Sequence, residues 1–266
     1  MPPELVDTHC HLDLEPLAAS VDAVLERARA AGVRWCISVG TTLEASRANV
    51  ALARRFSMVR AAVGVHPNEA GFVTDDTLIQ IEALAGEPGV VAIGEVGLDQ
   101  YRARAAIPSQ VRALRGFIAI ARRWNLPLLI HCREAYEPLL ALLRRDATGP
   151  YRGIIHCASG PPEFIREALD LGFHISFAGN ATFPNAGALR ALVPLVPDDR
   201  LLIETDAPFL APQPVRGKTN EPAHVAHTAA CLAELRGLSL DALAGLTSRN
   251  ACRLFGLPGL AARTPG

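Results

Sequence analysis

The chain has almost no lysine: Lys218 is the single one among 26 basic residues, and the rest are arginines. Against 27 acidic residues the formal net charge is −1, with a pI near 6.7. No global basic field therefore draws the protein to nucleic acid, and any phosphate recognition has to be local. Arginine's planar fork suits phosphate, although a plain compositional bias accounts for the preference as well. No run of about 18 apolar residues occurs, and Met1 to Asp7 show no charged region leading into an apolar stretch. A membrane span is excluded, and a cytoplasmic protein without a membrane partner is expected. The six cysteines (Cys10, Cys36, Cys132, Cys157, Cys231, Cys252) include no C-x-x-C pair and no dense spacing. That argues against a disulfide scaffold and a thiolate zinc site, and reduced thiols are expected. No Ser/Gly-rich linker or low-complexity stretch divides the 266 residues, so one domain over 1–266 is expected.

What is present is apolar residue in quantity, 50% of the chain, arranged in short runs between turn residues. Eight such runs read as strands: Leu5–His9, Trp35–Gly40, Val59–His66, Val90–Glu95, Leu128–His131, Gly153–His156, Phe173–Phe177 and Leu201–Thr205. They are continuous in Val, Ile and Leu rather than alternating with charges, as parallel strands covered on both faces are. Segments between them, such as Ala19–Ala31, Ser109–Trp124 and Pro162–Leu171, space their apolar residues by three and four and read as helices. Strand and helix alternating eight times over about 250 residues predict an α/β fold, a single-domain (β/α)₈ TIM barrel. An open doubly wound sheet is the competitor, and the polar residues favour the barrel.

His9 and His11 follow the first run one residue apart, so strand periodicity puts both on one face, where two imidazoles can meet one metal. Glu95 closes the fourth run, His131 the fifth, His156 the sixth, and Asp206 follows the eighth. Taken singly, each reads as a hydrogen-bonded core residue or a surface ion pair. Together they are six ligand-type residues at the same end of five strands. Burying them without a cation would leave carboxylates and imidazoles uncompensated, which points to a metal site at the barrel mouth. Cys132 and Cys157 each follow one of these histidines by one residue, so they are expected to point outward into the strand and helix layer as core packing, and Cys10 is read likewise.

In order along the chain, DTHCHLD at 7–13, GVHP at 64–67, GEVGLD at 94–99, LPLLIHCREA at 126–135, IIHCASG at 154–160, ISFAGN at 175–180, ETDAPFLAP at 204–212 and RGKTNEP at 216–222 resemble the TatD family of metal-dependent hydrolases in the amidohydrolase superfamily. The resemblance spans nearly the whole chain. It implies the TIM barrel, two divalent metal ions, and hydrolysis of phosphodiester bonds in DNA, exonucleolytic and on single strands. It also implies the ligand set: His9, His11 and Asp206 on one metal, His131 and His156 on the other, Glu95 bridging. Two cations about 3.5 to 4 Å apart do need an anion between them. Where many relatives carry a second histidine after GVHP this chain has Asn68; Gln100 and Ala158 replace aromatics, and Pro184 stands near a common lysine.

With two cations activating a water, Asp206 is a candidate to take its proton, alongside a plain ligand role. His66, ending the third run, is a candidate substrate contact, and Arg133, Arg216 and Lys218 are phosphate candidates in loops at the mouth. Asp99 and Glu204 are expected to orient ligands from behind, and Asn220 and Glu221 to anchor the last loop. The ligand set accommodates Zn²⁺, Mn²⁺, Co²⁺ or Mg²⁺. The same site would also serve hydrolysis of a small amide, ester or lactone, or of a D-aminoacyl-tRNA ester, and a metal-stabilised binding module is a third reading.

Overall fold

In the computed structural model, which describes residues 3–259, the eight apolar runs become eight parallel strands: β1 (Leu5–Cys10), β2 (Val33–Val39), β3 (Val59–Val63), β4 (Val90–Asp99), β5 (Leu128–Arg133), β6 (Gly153–Ile155), β7 (His174–Phe177) and β8 (Leu201–Ile203). They pair in chain order, β1 with β2 through to β7 with β8. The helices between them are α1 (Val21–Ala30), α2 (Leu43–Arg55), α3 (Asp75–Ala85), α4 (Ile107–Arg123), α5 (Tyr136–Asp146), α6 (Pro162–Asp170) and the short α7 (Gly187–Arg190), with α8 (Val225–Arg236) and α9 (Leu240–Phe255) after the last strand. This is the single-domain TIM barrel expected. None of the helices among the described residues is long and apolar enough to cross a membrane.

Two apolar layers hold it together. Val6, Ile37, Val39, Ala62, Ala92, Leu129, Ile154 and Leu202 point inward and meet Ala251, Leu254 and Phe255 of α9, which plug the lower end. The other strand faces pack outward against the helices, with Phe117 of α4 and Phe164 of α6 fully buried there. Thr42, Thr74 and Ser239 start α2, α3 and α9 by accepting hydrogen bonds from the backbone N–H three residues on.

No ladder joins β1 to β8 among the described residues. The ring closes instead through the residues just beyond their ends: Asp206 N–H donates to the His9 carbonyl (2.9 Å) and His11 N–H to the Ala207 carbonyl (2.7 Å). Below that seam Asp7 accepts from the Thr205 N–H (2.9 Å) and hydroxyl (2.6 Å).

Strand limits differ from the sequence reading in two places that matter. The third strand stops at Val63, so His66 stands clear of it. The fourth runs on to Asp99, with an irregularity in its pairing to β5 between Ile93 and Val96. Glu95 therefore sits in a bulge within the strand rather than at its end, and a bulge re-aims the side chain it carries. Beyond it β4 continues hard against β5: a Cβ on Gly97, whose φ is +148°, would lie 1.9 Å from the His131 carbonyl oxygen. Only glycine fits there.

Candidate metal centre

The six residues singled out at the strand ends meet at the C-terminal mouth. His9, His11, Glu95 and His156 are almost completely buried, and His11, Glu95, His131, His156 and Asp206 line one cavity of about 610 Å³. The two oxygens of Glu95 divide the cluster. Oε1 lies 2.7 Å from His131 Nδ1 and 2.8 Å from His156 Nε2. Oε2 lies 3.6 Å from His9 Nε2 and 3.8 Å from His11 Nε2. Asp206 Oδ1 joins the second pair, 3.4 Å from His11 Nε2 and 3.8 Å from His9 Nε2. The His9 ring stacks on His156 with centroids 3.9 Å apart.

Groups behind the imidazoles decide where their protons sit. His11 Nδ1 donates to the Val39 carbonyl (3.0 Å), His156 Nδ1 to Glu204 Oε1 (3.3 Å), and His131 Nε2 to Asp99 Oδ2 (3.2 Å). Each neutral ring then has only a lone pair left on the nitrogen that faces Glu95. Lone pairs aimed at a buried carboxylate repel it unless cations lie between them. His9 and His11 bring their Nε2 atoms within 3.3 Å, and His9 Nδ1 is buried without a partner. Two donor triads, His9/His11/Asp206 and His9/Glu95/His156, have spacings that a metal ion fits.

In the bare protein, protons take the place of cations. Burial works against ionising Glu95, but His156, His66 and His131 together hold its carboxyl well below the usual range. Burial likewise opposes a charge on His11, yet Asp206 and Glu95 raise it to about 9. His156 is raised well above its ordinary value against burial by Glu95 and Glu204. Metal and proton compete for the same nitrogens. His66 differs: burial pulls it down to about 4. Its Nδ1 accepts the Asn68 N–H (3.0 Å), so the hydrogen rides on Nε2, which faces Glu95 Oε1 at 3.6 Å. It is a neutral donor looking into the site, which argues against a cation in the third triad, His66/Asp99/His131.

The TatD related DNase family model matches residues 6–256. The chain belongs to the TatD family. It is accordingly a metal-dependent hydrolase. It is 39% identical to the metal-dependent hydrolase YabD of Bacillus subtilis, over 94% of this chain and 98% of YabD. It is also 39% identical to the 3'-5' ssDNA/RNA exonuclease TatD of Citrobacter koseri, over 89% of this chain and 93% of that protein. The crystal structure of the Escherichia coli TatD homolog YjjV superposes with a TM-score of 0.88 at 32% identity, covering 96% of this chain and 98% of YjjV.

In this TatD-family barrel the remaining candidates fall in two groups. His66, Asp99 and Arg133 line the cavity. Arg216 and Lys218 are exposed outside it, and the Arg216 guanidinium lies 3.9 Å over the Phe183 ring. Glu204 is fully buried behind His156 and also accepts the Cys157 N–H (2.7 Å). Asn220 anchors the last loop through the Thr205 and Phe209 carbonyls (2.9 and 2.6 Å), and Glu221 pairs with Arg27.

Cys10 packs in the outer core as expected, and Cys132 does so while also bordering the cavity, but Cys157 lies outside that core. β6 ends at Ile155, so alternation no longer governs residue 157; with φ +45° the chain turns its thiol to the cavity. Burial and the carboxylates of Asp206, Glu204 and Glu95 push that thiol well above its ordinary pKa, which keeps it protonated in the bare protein. Sequence reasoning passed over Asp7, whose carboxyl burial raises to about 8 although Thr205 donates to it. It also passed over Asn180, which reaches the cavity wall from beyond β7. Asp7 opens the DTHCHLD motif, so its polarity inside an apolar strand was the available signal.

Proposed function

We propose that this TatD-family enzyme hydrolyses phosphodiester bonds at the 3′ end of single-stranded nucleic acid, with two divalent cations held by His9, His11, Glu95, His131, His156 and Asp206. The observation that carries the reading is the division of Glu95: one oxygen faces the His131/His156 pair, the other the His9/His11 pair, and the lone pairs of His11, His131 and His156 converge on that carboxylate. A carboxylate so placed can bridge two cations, and the nitrogen and oxygen donors suit Zn²⁺, Mn²⁺ or Co²⁺ better than Mg²⁺. When bound, the two cations activate a water and neutralise charge growing on the phosphate oxygens.

The chain's own groups do the rest. Asp206, held ionised by His11, His9 and His156 against its burial, accepts the proton of the attacking water and passes it to the departing ribose oxygen as the P–O bond breaks. His66 offers its Nε2–H to a phosphate oxygen, and Arg133 on the cavity wall takes a second one. Arg216 and Lys218, outside the cavity, meet only a longer strand. The similarity to the Citrobacter koseri exonuclease supports this substrate.

The test is a metal-stripped sample reloaded separately with Zn²⁺, Mn²⁺, Co²⁺ and Mg²⁺ and assayed on 5′-labelled single-stranded DNA beside a panel of small esters and lactones. Stepwise shortening from the 3′ end that a chelator stops is the expected result. Turnover of a small uncharged ester with no cleavage of DNA under any metal would remove the nuclease reading and leave a metal-dependent hydrolase of another substrate.

A further inference from the structure

We infer that the mouth carries a built site for the last nucleotides of a strand: Phe209 as the platform for the terminal base, and Arg102 and Arg104, with Arg133, as the wall for the preceding phosphates. The inference rests on the nuclease reading above and deepens it.

In a ring of strands paired β1 to β8, the loop after β4 lies across the mouth from the loop after β8. Arg102, Arg104 and Arg133 line the cavity on the β4–β5 side and Phe209 on the β8 side, with the histidine cluster between them. Elsewhere many arginines are spent within the protein, some on carboxylates (Arg27 on Glu221, Arg55 on Asp22, Arg115 on Asp146, Arg144 on Glu167) and others on backbone carbonyls (Arg60, Arg112, Arg152, Arg190). The guanidinium groups of Arg102, Arg104 and Arg133 have no carboxylate partner among the described residues. Glu69, on the neighbouring wall, offsets one of the three charges.

Their backbone, by contrast, is tied to the site. Arg102 N–H donates to Asp99 Oδ1 (2.8 Å) and Arg104 N–H to Asn68 Oδ1 (3.3 Å). Arg133 is steadied by the Tyr101 ring 3.8 Å away. Fixed backbone and unspent charge at a cavity wall suit oxyanions that arrive with a ligand.

Phe209 is 52% exposed, a large apolar face left to water beside the buried ligands. It is not loose: its N–H donates to the Asp206 carbonyl (2.9 Å), its carbonyl accepts from Asn220 (2.6 Å), and its ring stands edge-on to His11 at 6.1 Å. A held, half-exposed ring in the wall of this cavity is what a nucleobase stacks on, and stacking on an aromatic is worth about 1–3 kcal/mol per base. A cavity of about 610 Å³ takes a drug-sized ligand, which is one or two nucleotides and not a duplex. The terminal base has to be unpaired to reach Phe209.

The experiment compares kcat/KM for removal of the terminal residue from two single-stranded DNA pentamers, one ending in a normal 3′ nucleotide and one ending in an abasic sugar. The wild-type enzyme should favour the normal end about 5- to 150-fold, the range the stacking energy implies. Phe209→Ala should bring that ratio close to one, while Phe209→Trp keeps it. Arg102→Ala and Arg104→Ala should each flatten the salt dependence of kcat/KM by about one unit on a log–log plot. Equal use of both pentamers by the wild type, a ratio that survives Phe209→Ala, or an unaltered salt slope overturns this site and leaves the nuclease reading intact. Cleavage of neither pentamer with any of the four metals overturns both.

Discussion

Glu95→Gln tests the centre most directly, because the amide fills the same space and can still hydrogen-bond but carries no charge to share between two cations. The carboxylate contacts both imidazole pairs, at 2.7 and 2.8 Å through Oε1 and at 3.6 and 3.8 Å through Oε2. A hydrogen bond or ion contact to a charged group is worth about 1.5–3 kcal/mol, so losing an anionic contact at each of two cations costs about 3–6 kcal/mol. At about 1.4 kcal/mol per decade this is a fall of about 10²–10⁴ in the combined metal affinity, and turnover falls with it. The amide's NH₂ also gives one imidazole pair a donor where it had met a carboxylate, closing that half of the site without metal. Stability responds differently. The side chain is 3% exposed, its replacement is nearly isosteric, and the imidazoles around it can shed the protons that Glu95 had held, so the metal-free melting temperature in mildly alkaline buffer should move by no more than about 2–4 °C, the equivalent of about 1 kcal/mol in a chain this size. Metal content of the reloaded variant, turnover on single-stranded DNA and a thermal melt of the stripped protein are the three measurements. A variant that keeps two tightly bound cations and full turnover refutes the bridging role; one that loses turnover only because the stripped protein has unfolded refutes the separation of chemistry from stability.

Glu204→Gln removes the charge behind His156, and metal affinity measured by chelator competition should drop about 10- to 100-fold; an unchanged affinity would mean that Glu204 only anchors the Cys157 backbone. Arg133→Ala should flatten the salt dependence of binding by about one unit for a dinucleotide and a long oligonucleotide alike, whereas Arg216→Ala and Lys218→Ala do so for the long one alone; loss at the dinucleotide in either of the latter would move them into the cavity. His174, at the start of β7 and far from the metal ligands in its strand, has a buried Nδ1 with no partner, and burial together with Arg200 lowers it from 6.5 to about 4. Its folded pKa lies below the unfolded one, so the stability it secures is full above pH 6.5 and is lost as pH falls towards 4, by about 2 kcal/mol at pH 5 at 1.36 kcal/mol per pH unit. Urea midpoints of His174→Gln should decline less between pH 7.5 and 5 than those of the wild type, and equal declines would dismiss the histidine as a source of acid sensitivity.

Much of this was legible in the sequence because a parallel strand covered on both faces writes itself as an unbroken apolar run, and a polar residue ending such a run has one place to go. His9, His131, His156 and Asp206 were found that way. Glu95 was found too, but as a strand end, although Gly94 and Gly97 on either side of it are the mark a bulge leaves in a strand sequence. Once a strand stops, periodicity says nothing: Cys157, two residues past β6, faces the cavity although it follows a histidine just as Cys132 does. Arg102 and Arg104 were passed over for the same reason. They look like any surface arginines until the fold shows which arginines line the cavity and which are taken up by carboxylates such as Glu221 and Asp146, far away in the chain.

The barrel's closure and its chemistry use the same atoms. β1 and β8 form no ladder among the described residues, and the seam is made instead by the backbones of His9, His11, Asp206 and Ala207, with Asp7 gripping Thr205 beneath. Asp206 sits there with φ +56°, a backbone region that a non-glycine residue occupies only when its surroundings enforce it. The N–H of Asp206 is committed to His9, so its carboxylate is carried to the Nε2 atoms of His9 and His11 by the bond that shuts the ring. Candidate ligands brought together by ring closure are in position before any cation arrives, which would spare binding the cost of ordering loops. It also means that the His9, His11 and Asp206 triad cannot loosen without opening the barrel at its one unladdered joint.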